Sequence, residues 1–174
     1  NQSITKLEYG SFLCSALSYL MLKQRDSVGL IQFDKEINQF LPSKASRSHL
    51  NQIMECLENI IPGDNPHMRP ILDHMAERIK KRGLIILISD LFDDPKDVIK
   101  GLSHFKHNKQ EVIVFHILDR NEFEFEFNKR TKFKDMETGQ TITTDPWHIQ
   151  ISYKEKIKLF QKNYKLGCRK QKID

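Results

Sequence analysis

The sequence predicts an α/β domain, a doubly wound and mainly parallel sheet with an antiparallel edge strand and a small β insertion. Three observations carry that expectation. Leu84–Ile88 and Glu111–Leu118 are largely apolar stretches of strand length, the pattern of strands buried on both faces of a parallel sheet. Segments with helical periodicity alternate with them, which implies right-handed crossovers. Both stretches run into acids, Asp90 and Asp119, and open α/β sheets keep their ligand sites at the carboxyl ends of such strands.

At 174 residues, 39% hydrophobic and 29% charged, the chain has the size and composition of one globular domain spanning residues 1–174. No apolar run approaches the roughly 20 residues of a membrane span, and the start carries no signal-peptide pattern, so a cytoplasmic protein without membrane contact is expected. Cys14, Cys56 and Cys168 are odd in number and far apart, which suits a reducing compartment and no metal knuckle. The net charge of +5 is concentrated late: residues 151–174 hold eight Lys or Arg against two acids. Without interleaved aromatic residues or an RNA-binding signature, this stripe reads as a solvated helix face before a nucleic-acid site.

Taken in order, Ser3–Lys23 reads as a helix with Ser3 as its N-cap. Its apolar stripe is Leu7, Gly10, Leu13 or Cys14, Leu17, and Leu20 or Met21. Gln24-Arg25-Asp26 turns the chain into Val28–Phe33, a second mostly apolar strand. Asp34-Lys35 makes a tight turn into Glu36–Leu41, whose alternation suits a half-exposed edge strand, and Pro42 is expected to stop it. Ser46 opens a helix with Leu50, Ile53, Leu57 and Ile60 inward. Pro62–Pro66 is a loop. Met68, Leu72, Met75 and Ile79 mark a helix running on to Lys80-Lys81-Arg82, cations suited to a last turn, with Gly83 as a left-handed cap. After Leu84–Ile88, a helix from Pro95 to about Lys106 turns Val98, Leu102 and Phe105 inward.

His116, inside the following strand, reads as a hydrogen-bonded core residue before a ligand. Beyond Arg120 the pattern changes. Glu122–Phe127 alternates strictly, placing Phe123, Phe125 and Phe127 on one packed face of a strand. Thr131–Lys134 and Gln140–Thr143 are short strands around a Glu137-Thr138-Gly139 turn. Together these form a β insertion over about 121–144 that covers one edge or end of the sheet. Asp145-Pro146 starts a last helix with Tyr153, Ile157, Phe160 and Tyr164 inward, ended or interrupted at Gly167.

The chemistry concentrates in Gly83–Pro95. Ser89, Asp90, Asp93 and Asp94 crowd the end of a buried strand, and such oxygens suit a hard cation like Mg²⁺. The competing reading is structural: Asp94 caps the next helix, Pro95 is its first residue, and Asp90 solvates a strand end. The Ser, His and Cys residues fall mostly inside helices and strands, at spacings that suggest no nucleophile–base–oxyanion set. A catalytic role is not expected.

Asp26–Phe33, Arg82–Pro95 and Glu111–Asp119, with Glu137-Thr138-Gly139 and Gly167-Cys168-Arg169, resemble the DUF58 family in the same order. These are bacterial and archaeal proteins with a von Willebrand factor A-like domain, commonly encoded beside MoxR-type AAA+ ATPases. The resemblance implies a doubly wound sheet whose rim can hold Mg²⁺ or Mn²⁺ in a metal-ion-dependent adhesion site. Such a site draws on an Asp-x-Ser-x-Ser loop, a Thr from a second loop and an Asp from a third, and a partner carboxylate fills the open position. Asp90 matches the third-loop Asp. Asp64 or Asn65 stands where the second loop should offer a Thr, and Ser89, Asp93 and Asp94 flank the rim as partner-binding candidates. The first strand with its Asp-x-Ser-x-Ser loop and the final strand are both missing, so the resemblance implies a partial domain, with no metal bound by this chain itself. The function implied is a non-catalytic interaction module serving a MoxR-type ATPase and its client proteins. The alternatives are a phosphoryl-transfer enzyme using Asp90 and nucleic-acid binding through the basic last helix.

Overall fold

The computed structural model describes residues 4–63, 67–125, 131–134, 141–144 and 146–174. In chain order its elements are α1 (Lys6–Lys23), β1 (Val28–Phe33), β2 (Ile37–Lys44), α2 (Arg47–Glu58), α3 (Met68–Arg78) and β3 (Leu84–Ser89). There follow α4 (Pro95–His107), β4 (Glu111–His116), α5 (Arg120–Glu124), β5 (Thr131–Lys134), β6 (Thr141–Thr144) and α6 (Pro146–Lys170). Among the described residues no helix is long and apolar enough to cross a membrane.

The architecture is mixed α/β, and the described strands pair two by two instead of joining one continuous sheet. β1 and β2 are antiparallel, β3 and β4 parallel, and β5 and β6 antiparallel. The parallel pair runs in unbroken register from Leu84 opposite Glu111 to Ser89 opposite His116. Its crossover is α4, which seals Val98, Leu102 and Phe105 into the core with Leu72 and Met75 of α3, Leu87 of β3, Val112 of β4 and Tyr164 of α6. A smaller cluster of Leu30, Ile53 and Leu57 joins β1 to α2. Helix α1 packs against both β1 and β3 and so links the two pairs. Past α6, Ile173 enters the core and Asp174 lies along the free side of β4. Its N–H donates to the Val112 carbonyl at 3.1 Å, and its own carbonyl accepts from the Val114 N–H at 2.7 Å, the bond pattern of a parallel neighbour.

Several local expectations hold. Ser46 caps α2 by accepting from the His49 N–H, and Asp94 caps α4 with Pro95 in its first turn. The short strand β5 lies where it was expected and β6 one residue later than Gln140–Thr143, while the turn at Glu137-Thr138-Gly139 falls outside the described residues.

Five differ, each for a physical reason. The N-cap of α1 is Thr5, in a reciprocal capping box with Glu8; Ser3 lies outside the described residues. Pro42 does not stop β2. It falls in a bulge opposite Gly29, where the ladder jumps from Leu30–Leu41 to Val28–Lys44, so its missing N–H costs no ladder bond. Gly29 is required there, because a Cβ would stand 2.8 Å from the Leu41 carbonyl oxygen. Helix α3 stops at Arg78, before the cations expected to close it. The buried Gln110 amide donates to the carbonyls of Ile79 (3.2 Å) and Lys81 (2.7 Å) and holds that segment as an extended lead into β3. Residues 120–124, of which Glu122–Glu124 were expected to open a strand, form α5. Asp119 and Glu122 make a capping box, and Phe125 closes the turn at φ 49°; Glu126 and Phe127 lie outside the described residues. Gly167 neither ends nor interrupts α6, which continues to Lys170. The residue is the contact point with Ile99 of α4, whose side chain occupies the space of a Cβ.

The packing yields a stability prediction. Phe105 is 1% exposed and Phe12 of α1 is 63% exposed. Phe105→Ala should cost about 3–5 kcal/mol in urea unfolding, and Phe12→Ser no more than about 0.5 kcal/mol.

Candidate functional site

The site is built where the chain leaves β3. Leu91 takes a left-handed backbone, φ 56°, with its side chain only 1% exposed. A non-glycine residue holds that conformation only when its surroundings determine it. Here the Ser89 hydroxyl accepts from the Leu91 N–H at 3.0 Å, and the Asp93 N–H donates to the Leu91 carbonyl at 2.7 Å. Tyr164, arriving from α6, places its hydroxyl 2.9 Å from the Leu91 carbonyl and 3.2 Å from that of Asp93. Burial and the nearby charges of Asp93 and Asp94 push the Tyr164 phenol well above its ordinary pKa, so it stays a donor.

His116 closes the end of β4. Its Nε2 lies 2.9 Å from the Asp90 carbonyl, which can only accept, so this nitrogen carries the hydrogen. The ring sits 5.9 Å from both Phe160 and Tyr164, centroid to centroid. Burial lowers its pKa, and the bond to Asp90 offsets this only in part.

Each rim acid has a partner within the chain. Asp93 accepts from the Met68 N–H at 2.7 Å through one oxygen and from the Asp94 N–H at 2.7 Å through the other, tying the start of α3 to the loop. Asp94 accepts from the Lys96 N–H at 2.8 Å as the cap of α4. Asp90 meets a residue from the far end of the sequence. The Lys6 ammonium, from the first turn of α1, stands 2.9 Å from Asp90 Oδ2 and 2.7 Å from Glu122 Oε1. It also lies 4.9 Å from the centre of the Phe92 ring. The other Glu122 oxygen closes the capping box by accepting from the Asp119 N–H. Burial lowers the Lys6 pKa, but the bonds and charges of Glu122 and Asp90 outweigh it and leave the net shift upward.

Ser89, Asp90, Asp93 and Asp94 are thus brought together, whereas Asp64 and Asn65 lie outside the described residues. Among the described residues no group of three or more His, Cys, Asp or Glu is placed to hold a metal ion. Nor does the rim fit one as arranged: Asp90 Oδ2 accepts from an ammonium, and the Asp93 and Asp94 oxygens that bond accept from backbone N–H groups. A cleft of about 450 Å³ beside the rim is lined by Thr5, Lys6, Tyr9, His116, Asp119 and Arg120 among others. The Thr5 hydroxyl belongs to its capping box, and His116 Nε2 is committed to the Asp90 carbonyl.

Sequence reasoning missed Lys6, Glu122 and the hydroxyl of Tyr164. Glu122 had a signal, since Asp119-x-x-Glu122 is a capping-box pattern. Lys6 had none: 84 positions separate it from Asp90.

Fold and site together define an α/β domain with a carboxylate rim at the end of a parallel strand pair. The chain belongs to the DUF58 family, described as a protein of unknown function, which it matches over residues 1–159. Neither a curated protein nor a solved structure matches it.

Two measurements probe this geometry. A His116 pKa held below its unfolded value of about 6.5 gives stability that is complete above that pH and is lost as pH falls through the folded value. The urea midpoint should therefore drop between pH 7.5 and 5, and by less in His116→Gln, which keeps a donor for Asp90. Tyr164→Phe, which strips a buried donor from two carbonyls, should cost about 1–2 kcal/mol at neutral pH.

Proposed function

We propose that this chain is a non-catalytic protein-interaction module of the von Willebrand factor A type, acting in the cytoplasm with a MoxR-type AAA+ ATPase in the assembly or maturation of protein complexes. The observation that carries this reading is the state of the rim acids. All three are held by donors of the chain itself, which makes a shaped, charged surface and not a set poised for bond making. The strand pattern supports the fold half of the reading. An antiparallel pair, a parallel pair and the Asp174 segment beside β4 are the parts a doubly wound sheet would order side by side. Asp90, with Ser89, Asp93 and Asp94 around it, is the centre of the partner surface in this reading.

One observation favours a second reading. An ammonium 2.9 Å from a strand-end carboxylate would also stabilise charge on a phosphoryl group, as a phosphoryl-transfer enzyme using Asp90 would need.

The readings part in one experiment. The immobilised chain should bind a cognate MoxR-type ATPase in biolayer interferometry, and Asp90→Ala should weaken that binding about tenfold, or about 1.4 kcal/mol. No binding, together with turnover of p-nitrophenyl phosphate that Asp90→Asn abolishes, would replace the module with the enzyme.

A further inference from the structure

The resemblance to adhesion domains sets a divalent ion on Asp90, and the described residues do not fit one. We propose that the Lys6 ammonium is the resident cation of this rim: it takes Asp90 Oδ2 and holds the rim together without a metal. The inference rests on reading the β3 end as the functional rim.

Three features distinguish Lys6 from an ordinary surface partner. First, it is shared. One ammonium reaches Asp90 Oδ2 at 2.9 Å and Glu122 Oε1 at 2.7 Å, within charge-assisted hydrogen-bond range of both. Second, it is partly withdrawn from water, with 32% of its side chain exposed against 36% for Asp90 and 29% for Glu122. Exposed pairs contribute little, but a shared pair under partial burial loses less to screening. Third, it joins segments that no strand pairing connects. The first turn of α1, the end of β3 and the first turn of α5 share this nitrogen, which also lies over the Phe92 ring.

Asp90 and Glu122 bring two negative charges to one ammonium. A divalent ion at Asp90 would have to expel Lys6 and leave that ammonium beside a like charge of twice its size.

The test combines Mn²⁺ binding with a double-mutant cycle. In Mn²⁺ titrations followed by electron paramagnetic resonance, the free-ion signal should be undiminished by the 174-residue chain. The thermal midpoint should be the same in millimolar MgCl₂ as in EDTA. Lys6→Met and Asp90→Asn should each lower the midpoint by about 2–4 °C, and the double variant by clearly less than the sum. If Lys6→Met does not fold, Lys6→Arg, which keeps the charge, takes its place in the cycle and should fall between wild type and Asp90→Asn.

Micromolar Mn²⁺ binding that disappears in Asp90→Asn overturns the inference, and so do additive effects of the two substitutions. Failure here is separable from failure of the module reading. A chain that binds Mn²⁺ through Asp90 and still captures the ATPase sinks the resident cation alone. One that leaves Mn²⁺ free and shows coupling, yet captures no ATPase, upholds the resident cation and sinks the module.

Discussion

The backbone reversal at Leu91 is the constraint on which the rim depends. A left-handed leucine costs on the order of 1–3 kcal/mol, and burial of its side chain returns about as much. The turn is therefore secured from below by the core and from the side by the Tyr164 hydroxyl. That places α6 in control of loop geometry at the carboxyl end of β3. Once Leu91 is fixed, Asp93 can meet the start of α3, Asp94 can cap α4, and Asp90 is left facing α1. Four helices converge on one reversal.

How much of this was legible in the sequence varies with the range of the interaction that decides it. The parallel pair, its crossover helix and the caps at Ser46 and Asp94 depend on contacts within a few residues or on a simple apolar period, and they were read correctly. The end of α3 was not, because Gln110 decides it from about 30 positions away. Pro42 and Gly167 misled for a related reason. Each is a breaker by propensity, and each is tolerated because a partner across the fold, Gly29 or Ile99, shapes the local space. At 120–124 both signals were present; the alternating phenylalanines were read, and the capping box that the backbone obeys was not.

The candidate site divides along the same line. Its acids sit in one sequence segment and were found together, while the residues that determine what those acids can do, Lys6, Glu122, His116 and Tyr164, come from four other elements or their flanks. A strand end rich in aspartate looks alike in sequence whether it binds metal, caps helices or pairs with a lysine. Only the third dimension tells these apart, through the hydrogens that already point at each oxygen.

The bulge at Gly29 and Pro42 has a consequence at the far edge of β2. β2 has one described neighbour, β1, so its far edge is a row of backbone groups that another chain could extend. A proline with no hydrogen to offer, a ladder slipped by one residue and the terminal charge of Lys44 spoil that row as a template. The edge is thereby made a poor template for strand-by-strand self-association.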